Sequence, residues 1–163
     1  MFIIDIFAKK TMIQRIQTVY FLIAEILIGM LFFFPFAEIT DKGGRIYQLD
    51  FKVFYPDAAQ NVNWLGSPLF LLGVGCLLLI LATIFQYKHR LLQVRMSIAS
   101  VLLLLGLSAM IFYYGKSAET IVSGSGALNL VFLSPLIASI VIYLAIRAIQ
   151  KDEKLVRSID RIR

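Results

Sequence analysis

The 163-residue chain contains one cysteine, Cys76, and one histidine, His89. A lone cysteine excludes an intramolecular disulfide and a paired-cysteine redox mechanism. Inside an apolar run it reads as a small hydrophobe. A lone histidine leaves haem ligation, a zinc site and a histidine-based triad without a ligand set. Gly-rich phosphate loops are missing too, since Gly73-Val74-Gly75 lies within an apolar run. Charge is absent altogether from 69–85 and 98–114. Soluble core helices are usually shorter and keep a polar face, so a soluble fold does not fit.

What is present is apolar sequence: 60% of residues are hydrophobic and the mean hydropathy is +0.83. It falls in four runs, 19–36, 69–85, 98–114 and 128–146. A helix rising about 1.5 Å per residue needs roughly 20 apolar residues to cross a bilayer core. The reading is therefore an all-α, integral membrane four-helix bundle, with 1–163 as a single domain. The first run follows Lys9, Lys10 and Arg15, as a signal peptide would. It ends, however, in Phe34-Pro35-Phe36 instead of a small-residue cleavage pattern, so it is kept as a span.

Lysine and arginine set orientation. With four spans, both termini share a side with the loop joining spans two and three. Of the 16 lysines and arginines, only Lys42, Arg45, Lys52 and Lys116 fall on the opposite side. The expected placement is the inner (cytoplasmic) membrane, multi-pass, with both termini cytoplasmic. The pI near 9.6 then reflects topology. Nucleic-acid binding is not expected, because the basic residues flank spans and no reading module accompanies them.

The outer loop, 37–67, holds the turn signal Asp41-Lys42-Gly43-Gly44. From Tyr47 the chain alternates, with Tyr47, Leu49, Phe51 and Val53 on one face and Gln48, Asp50 and Lys52 on the other. This period predicts a half-buried strand, and 37–40 can pair with it as a small outer-side β-hairpin between helices 1 and 2. An isolated hairpin is marginal in water, so it should pack on the helix ends. Tyr55 and Trp64 suit the interface belt. The second outer segment, 115–126, is rich in small residues and reads as a flexible linker. The cytoplasmic tail, 147–163, places Leu155, Ile159 and Ile162 at i, i+4 and i+7, an amphipathic extension of the last helix.

Glu25 is the sharpest candidate for chemistry. It lies near the middle of span one, where a carboxylate costs about 2.5–3.5 kcal/mol on insertion scales. Carrying a proton would lower that cost, as would a hydrogen bond to Thr83, Ser108, Ser139 or Tyr143 on another span. One such group alone reads more readily as a structural or partner-facing carboxyl than as part of a proton or ion pathway. Gly73, Gly75, Gly106 and Ser108 are expected to allow close helix packing. Ser134-Pro135 is expected to bend the fourth span.

Three segments carry a family resemblance. They are Met12-Ile13-Gln14-Arg15-Ile16-Gln17-Thr18, the loop Tyr87-Lys88-His89-Arg90-Leu91-Leu92-Gln93, and the end from Arg147-Ala148-Ile149-Gln150 to Asp160-Arg161-Ile162-Arg163. Over about 12–163 the chain resembles a family of small four-span membrane proteins of Bacteroidota, domain-of-unknown-function family 4293. The resemblance implies an inner-membrane protein without an assigned activity, and a usual start at the residue matching Met12, so that 1–11 is an extension or an alternative start. It also places an apolar residue where this chain has Glu25. The shared motifs lie at the cytoplasmic ends. There Gln14, Arg15, Arg90, Gln93, Arg147, Arg157, Asp160 and Arg161 are expected to form a polar interaction network.

The function expected from these observations is that of a small structural or accessory subunit, in contact with membrane lipids and with other inner-membrane proteins or itself. The alternative is a lipid, quinone or small-solute binding or transport protein with an intrabundle site near Glu25. Neither an enzyme, a cofactor nor a metal is expected, for want of a nucleophile–base or metal-ligand set.

Overall fold

The structure, a computed structural model, describes residues 2–51, 68–87 and 89–160, and within them the side-chain surroundings of 16–51, 68–87, 89–121 and 123–153. Four helices dominate: α1 (Phe2–Met30), α2 (Pro68–Phe85), α3 (Arg90–Val122) and α4 (Ser134–Asp160). Three short strands accompany them: β1 (Ala37–Thr40), β2 (Ile46–Leu49) and β3 (Ser125–Leu128). α1 packs on α2 and α4, and α3 packs on the same two helices. The strands form one antiparallel sheet in the order β2-β1-β3 at one end of the helices.

Three helical segments are long and apolar enough to cross a membrane: Pro68–Phe85, Arg90–Ile121 and Leu130–Glu153. The described apolar stretch of α1, Ile16–Met30, is shorter. Within the three long segments only 28%, 33% and 39% of the most apolar windows is buried inside the protein. Large apolar side chains such as Phe33, Phe85, Leu102 and Ile140 stand exposed.

What is buried is a narrow seam. On α1 it consists of Gln17, Phe21, Ala24 and Ile28, continued by Leu31 in the turn that follows. On α2 it is Leu69, Gly73, Cys76, Ile80 and Thr83. On α3 it includes Gln93, Ser97, Ser100, Leu104, Leu107 and Ile111, and on α4 Ala138, Ile142, Ala145, Ile149 and Asp152. The spacing alternates between four and three, the repeat of left-handed helix packing. Small and polar residues recur in it, which lets helix backbones approach closely.

The hairpin expected after the first helix is present. β1 pairs β2 from Ala37↔Leu49 to Thr40↔Ile46, and Leu49 and Phe51 point inward. Phe51 enters an aromatic group, with ring centroids 5.0 Å from Phe32 and 6.1 Å from Phe36, while Phe32 meets Phe70 at 5.6 Å. Gly73 makes room for it, because a Cβ there would stand 2.7 Å from the Phe51 ring. Tyr55, Trp64 and Val53 lie outside the described residues.

Three expectations fail. First, 115–126 is not a flexible linker. α3 runs on to Val122, and at 33 residues it is about 50 Å long, well beyond a hydrocarbon core of about 30 Å. Its end closes in a Schellman pattern, with Ser123 N–H donating to Thr120 O and Gly124 N–H to Glu119 O. Ser123 takes the left-handed conformation, φ 53°. β3 then pairs with β1 from Ala37↔Leu128 to Thr40↔Ser125. The glycines here serve close approach and not flexibility: a Cβ on Gly124 would collide with the Thr40 carbonyl oxygen, and one on Gly126 with the Glu119 side chain.

Second, Pro135 does not bend a span from within. It is the second residue of α4, entered through a 3-10 turn at Leu130–Leu133, where the absent N–H costs nothing. Third, Gly75 and Gly106 are not packing glycines, since a Cβ on either meets nothing within 4 Å. As expected, α4 continues past the apolar run as one helix to Asp160. The side chains of Leu155, Ile159 and Ile162 lie outside those described.

These contacts set the cost of two glycine substitutions. Gly124→Ala should lower stability by about 1–3 kcal/mol, because the new Cβ meets the Thr40 backbone, which cannot yield cheaply. Gly75→Ala should leave stability unchanged or raise it by up to about 1 kcal/mol through helix propensity. Thermal unfolding of both variants in mild detergent checks the pair.

Candidate functional site

The polar residues of the helices sort into two groups. Most hydroxyls are consumed by their own helix. Thr83 Oγ1 donates to Leu79 O at 2.7 Å, Ser97 Oγ to Gln93 O at 2.8 Å, Ser100 Oγ to Met96 O at 3.0 Å and Ser108 Oγ to Leu104 O at 2.9 Å. Ser139 Oγ donates to Leu136 O at 2.7 Å. This back-bonding satisfies a hydroxyl without a partner helix. It also removes Thr83, Ser108 and Ser139 as donors to Glu25. Tyr143, the fourth expected partner, is exposed.

Glu25 therefore stands apart. It borders the α1 seam between Phe21 and Ile28 and is half-buried. Its Oε2 is enclosed and has no hydrogen-bond partner among the described residues. An enclosed carboxyl oxygen left unpaired is costly. Ser134 Oγ, at the start of α4, is the other such atom among the described residues.

The second group gathers where α2 turns into α3. Arg90 Nη2 meets Asp152 Oδ2 at 2.9 Å, joining the start of α3 to α4. The Asp152 side chain is only 8% exposed and that of Arg90 24%. Gln93, 4% exposed, reaches Thr83 O with its amide across a long 3.4 Å, so α3 also holds the last turn of α2. The last carbonyls of a helix lack intrahelical donors, which is why an amide from the next helix is useful there. Gln93 N–H in turn donates to His89 O at 2.9 Å.

Arg90 and Gln93 thus lie near one another at the start of α3 and tie it to α4 and α2 at one end. Arg147 is exposed and makes no such contact among the described residues. Gln14, Arg15, Arg157 and Asp160 lie on helices, but their side chains fall outside those described, as does Arg161 entirely. The expected network omitted Asp152, the buried partner of Arg90. One signal for it was available: Asp152 extends the α4 seam of Ala138, Ile142, Ala145 and Ile149 by three residues.

At the opposite end Asn129 acts as a clasp that sequence reasoning also missed. Its Nδ2 donates to Pro35 O at 3.2 Å and its N–H to Phe36 O at 3.0 Å, while Phe36 N–H donates to Leu49 O at 2.9 Å. The entry to α4 is thereby fixed to the exit of α1. No group of three or more potential metal ligands occurs among the described residues.

A family model spans nearly all of these elements, both polar ties included, and covers residues 13–162. The chain belongs to the family described as domain of unknown function (DUF4293). No curated protein matches it. Within this DUF4293 chain the best-defined side-chain cluster is thus a tie between helices, formed by Arg90, Gln93 and Asp152.

Asp152→Ala should cost about 1–3 kcal/mol, below the full penalty of a buried broken pair because Arg90 keeps some water. Adding Arg90→Gln should cost little more. A double-mutant cycle read by thermal unfolding would show the coupling, and additive losses would deny it.

Proposed function

We propose that this DUF4293 protein is a four-span protein of the inner membrane, α1 included, with both termini cytoplasmic, and that it serves as a structural or accessory subunit beside other membrane proteins. The exposed apolar helix faces support membrane placement, for they match hydrocarbon and would be untenable in water. The lysine and arginine distribution supports the orientation.

The observation that carries the accessory reading is how the polar side chains are spent. Arg90, Asp152 and Gln93 hold helices to one another, and the hydroxyls of Thr83, Ser97, Ser100, Ser108 and Ser139 close on their own helices. That use of polar groups builds a rigid body with apolar sides, suited to helix-to-helix contact with a neighbour. The charged end of α4 offers a polar handle beside it. Such a protein needs neither a cofactor nor a reactive group.

One observation favours a second reading, a lipid, quinone or small-solute binding protein. It is the enclosed, unpaired Oε2 of Glu25, which a ligand donor would satisfy.

Purification from native membranes through a C-terminal tag tests both. The accessory reading expects a stoichiometric membrane protein partner, lost when the chain is cut after Asp152, a site that keeps the Arg90 pair. Recovery of the protein alone would contradict it. A co-purifying small molecule lost on Glu25→Gln would establish the second reading instead.

A further inference from the structure

Where α2 gives way to α3, an open cleft of about 550 Å³ is lined by His89, Arg90, Leu91, Leu92 and Arg95. Its chemistry is two-sided. Arg95 is exposed and has no acidic partner among the described residues. Arg90 spends Nη2 on Asp152 and has no other partner among the described residues, so part of its five-donor fork stays available. His89 is exposed and adds a ring donor. Beside these donors Leu91 and Leu92 stand 61% and 42% exposed. Leu91 and Leu92 fall four and three residues before Arg95, so all three share one stretch of the α3 surface. No acidic residue is among the described residues that line the cleft.

We propose that this cleft is a binding site for the headgroup of an anionic phospholipid. The inference rests on the membrane reading above, which puts the α2–α3 turn at the cytoplasmic interface, where anionic lipid is found. The phosphate takes the donors of Arg90, Arg95 and His89, arginine being suited to bidentate phosphate contact. The upper acyl chains lie against Leu91 and Leu92. A free phosphate would use the donors alone and gain nothing from the leucines, whereas a lipid uses the whole lining. The Arg90–Asp152 pair fixes one wall of the cleft to α4, so the site is preorganised.

The test is native mass spectrometry of the full chain in mild detergent, titrated separately with phosphatidylglycerol, phosphatidylcholine and inorganic phosphate. The expected result is a clear preference for phosphatidylglycerol. It should fall about five-fold for Arg95→Gln and further for Arg95→Gln with His89→Gln, since each cation near a headgroup contributes about that factor. Lys151→Gln, which removes an exposed cation of α4 outside the cleft, should leave the preference intact. Leu91→Ser should weaken phosphatidylglycerol binding too.

Equal binding of the two lipids overturns the proposal. An equal loss for Lys151→Gln also overturns it, by reducing the site to diffuse attraction along a basic rim. Inorganic phosphate displacing the lipid at comparable concentration would make the cleft an anion site and not a lipid site. The detergent readout is blind to orientation. Labelling of a His89→Cys variant from outside the cell would therefore overturn the orientation of the previous section while leaving the cleft's preference measurable.

Discussion

The whole structure follows from a shortage of water around the helices. Most of the surface of α2, α3 and α4 is apolar and uncovered, so polar groups along it find their partners mainly within the chain. Backbone groups do so by helix formation. Thr83, Ser97, Ser100, Ser108 and Ser139 do so by bonding to a carbonyl three or four residues back. Hydrophobicity cannot then choose which helix face turns inward, because lipid tails are as apolar as a core. The choice falls to size and shape: Ala24, Gly73, Ala138 and Ala145 admit close approach, and the seam forms around them.

Both ends of the helices carry the links that such a seam lacks. At one end the sheet joins the β1–β2 hairpin to the distant strand β3, with Asn129 and the Phe32–Phe36–Phe51–Phe70 group fixing it to the helices. At the other, Arg90–Asp152 and Gln93–Thr83 tie α3 to α4 and α2. Directional contacts placed at the ends set the register of helices whose middles could otherwise slide. Glu25 is the exception to this economy. Its enclosed acidic oxygen has no partner among the described residues, on a face bordered by exposed Ile26 and Leu22.

The helices were legible because a long apolar run has few alternatives. The β1–β2 hairpin was legible because Tyr47, Leu49 and Phe51 alternate after a Gly-Gly turn. Other features were hidden for physical reasons. Ser123-Gly124-Ser125-Gly126 has the composition of a linker, and only the nearness of β1, 85 residues earlier at Thr40↔Ser125, makes its second half the start of a strand. Pro135 reads as a kink when the run is taken to begin at 128, and as a helix start once Leu130–Leu133 is a separate turn. Gly73 and Gly75 look alike in sequence, yet only one faces Phe51. At the polar end, Arg90 and Gln93 were singled out through the loop motif that carries the family resemblance. Asp152 was lost among the charges of the tail, because its burial depends on how α4 is rotated.

Hydrogen exchange of the protein in lipid nanodiscs tests the central claim, that apolar surroundings along the helices force the backbone groups there to be satisfied within the chain. The account predicts that amides of α2, of α4 up to Ile149 and of α3 from Ser97 to Ile111 resist exchange for hours. It predicts the same for α1 from Phe21 to Ile28, whereas the end of α3 beyond Gly115 and the α2–α3 turn exchange far sooner. Exchange in the middle of α3 as fast as at its projecting end would contradict it, for the helix would then lie in water and not in a membrane.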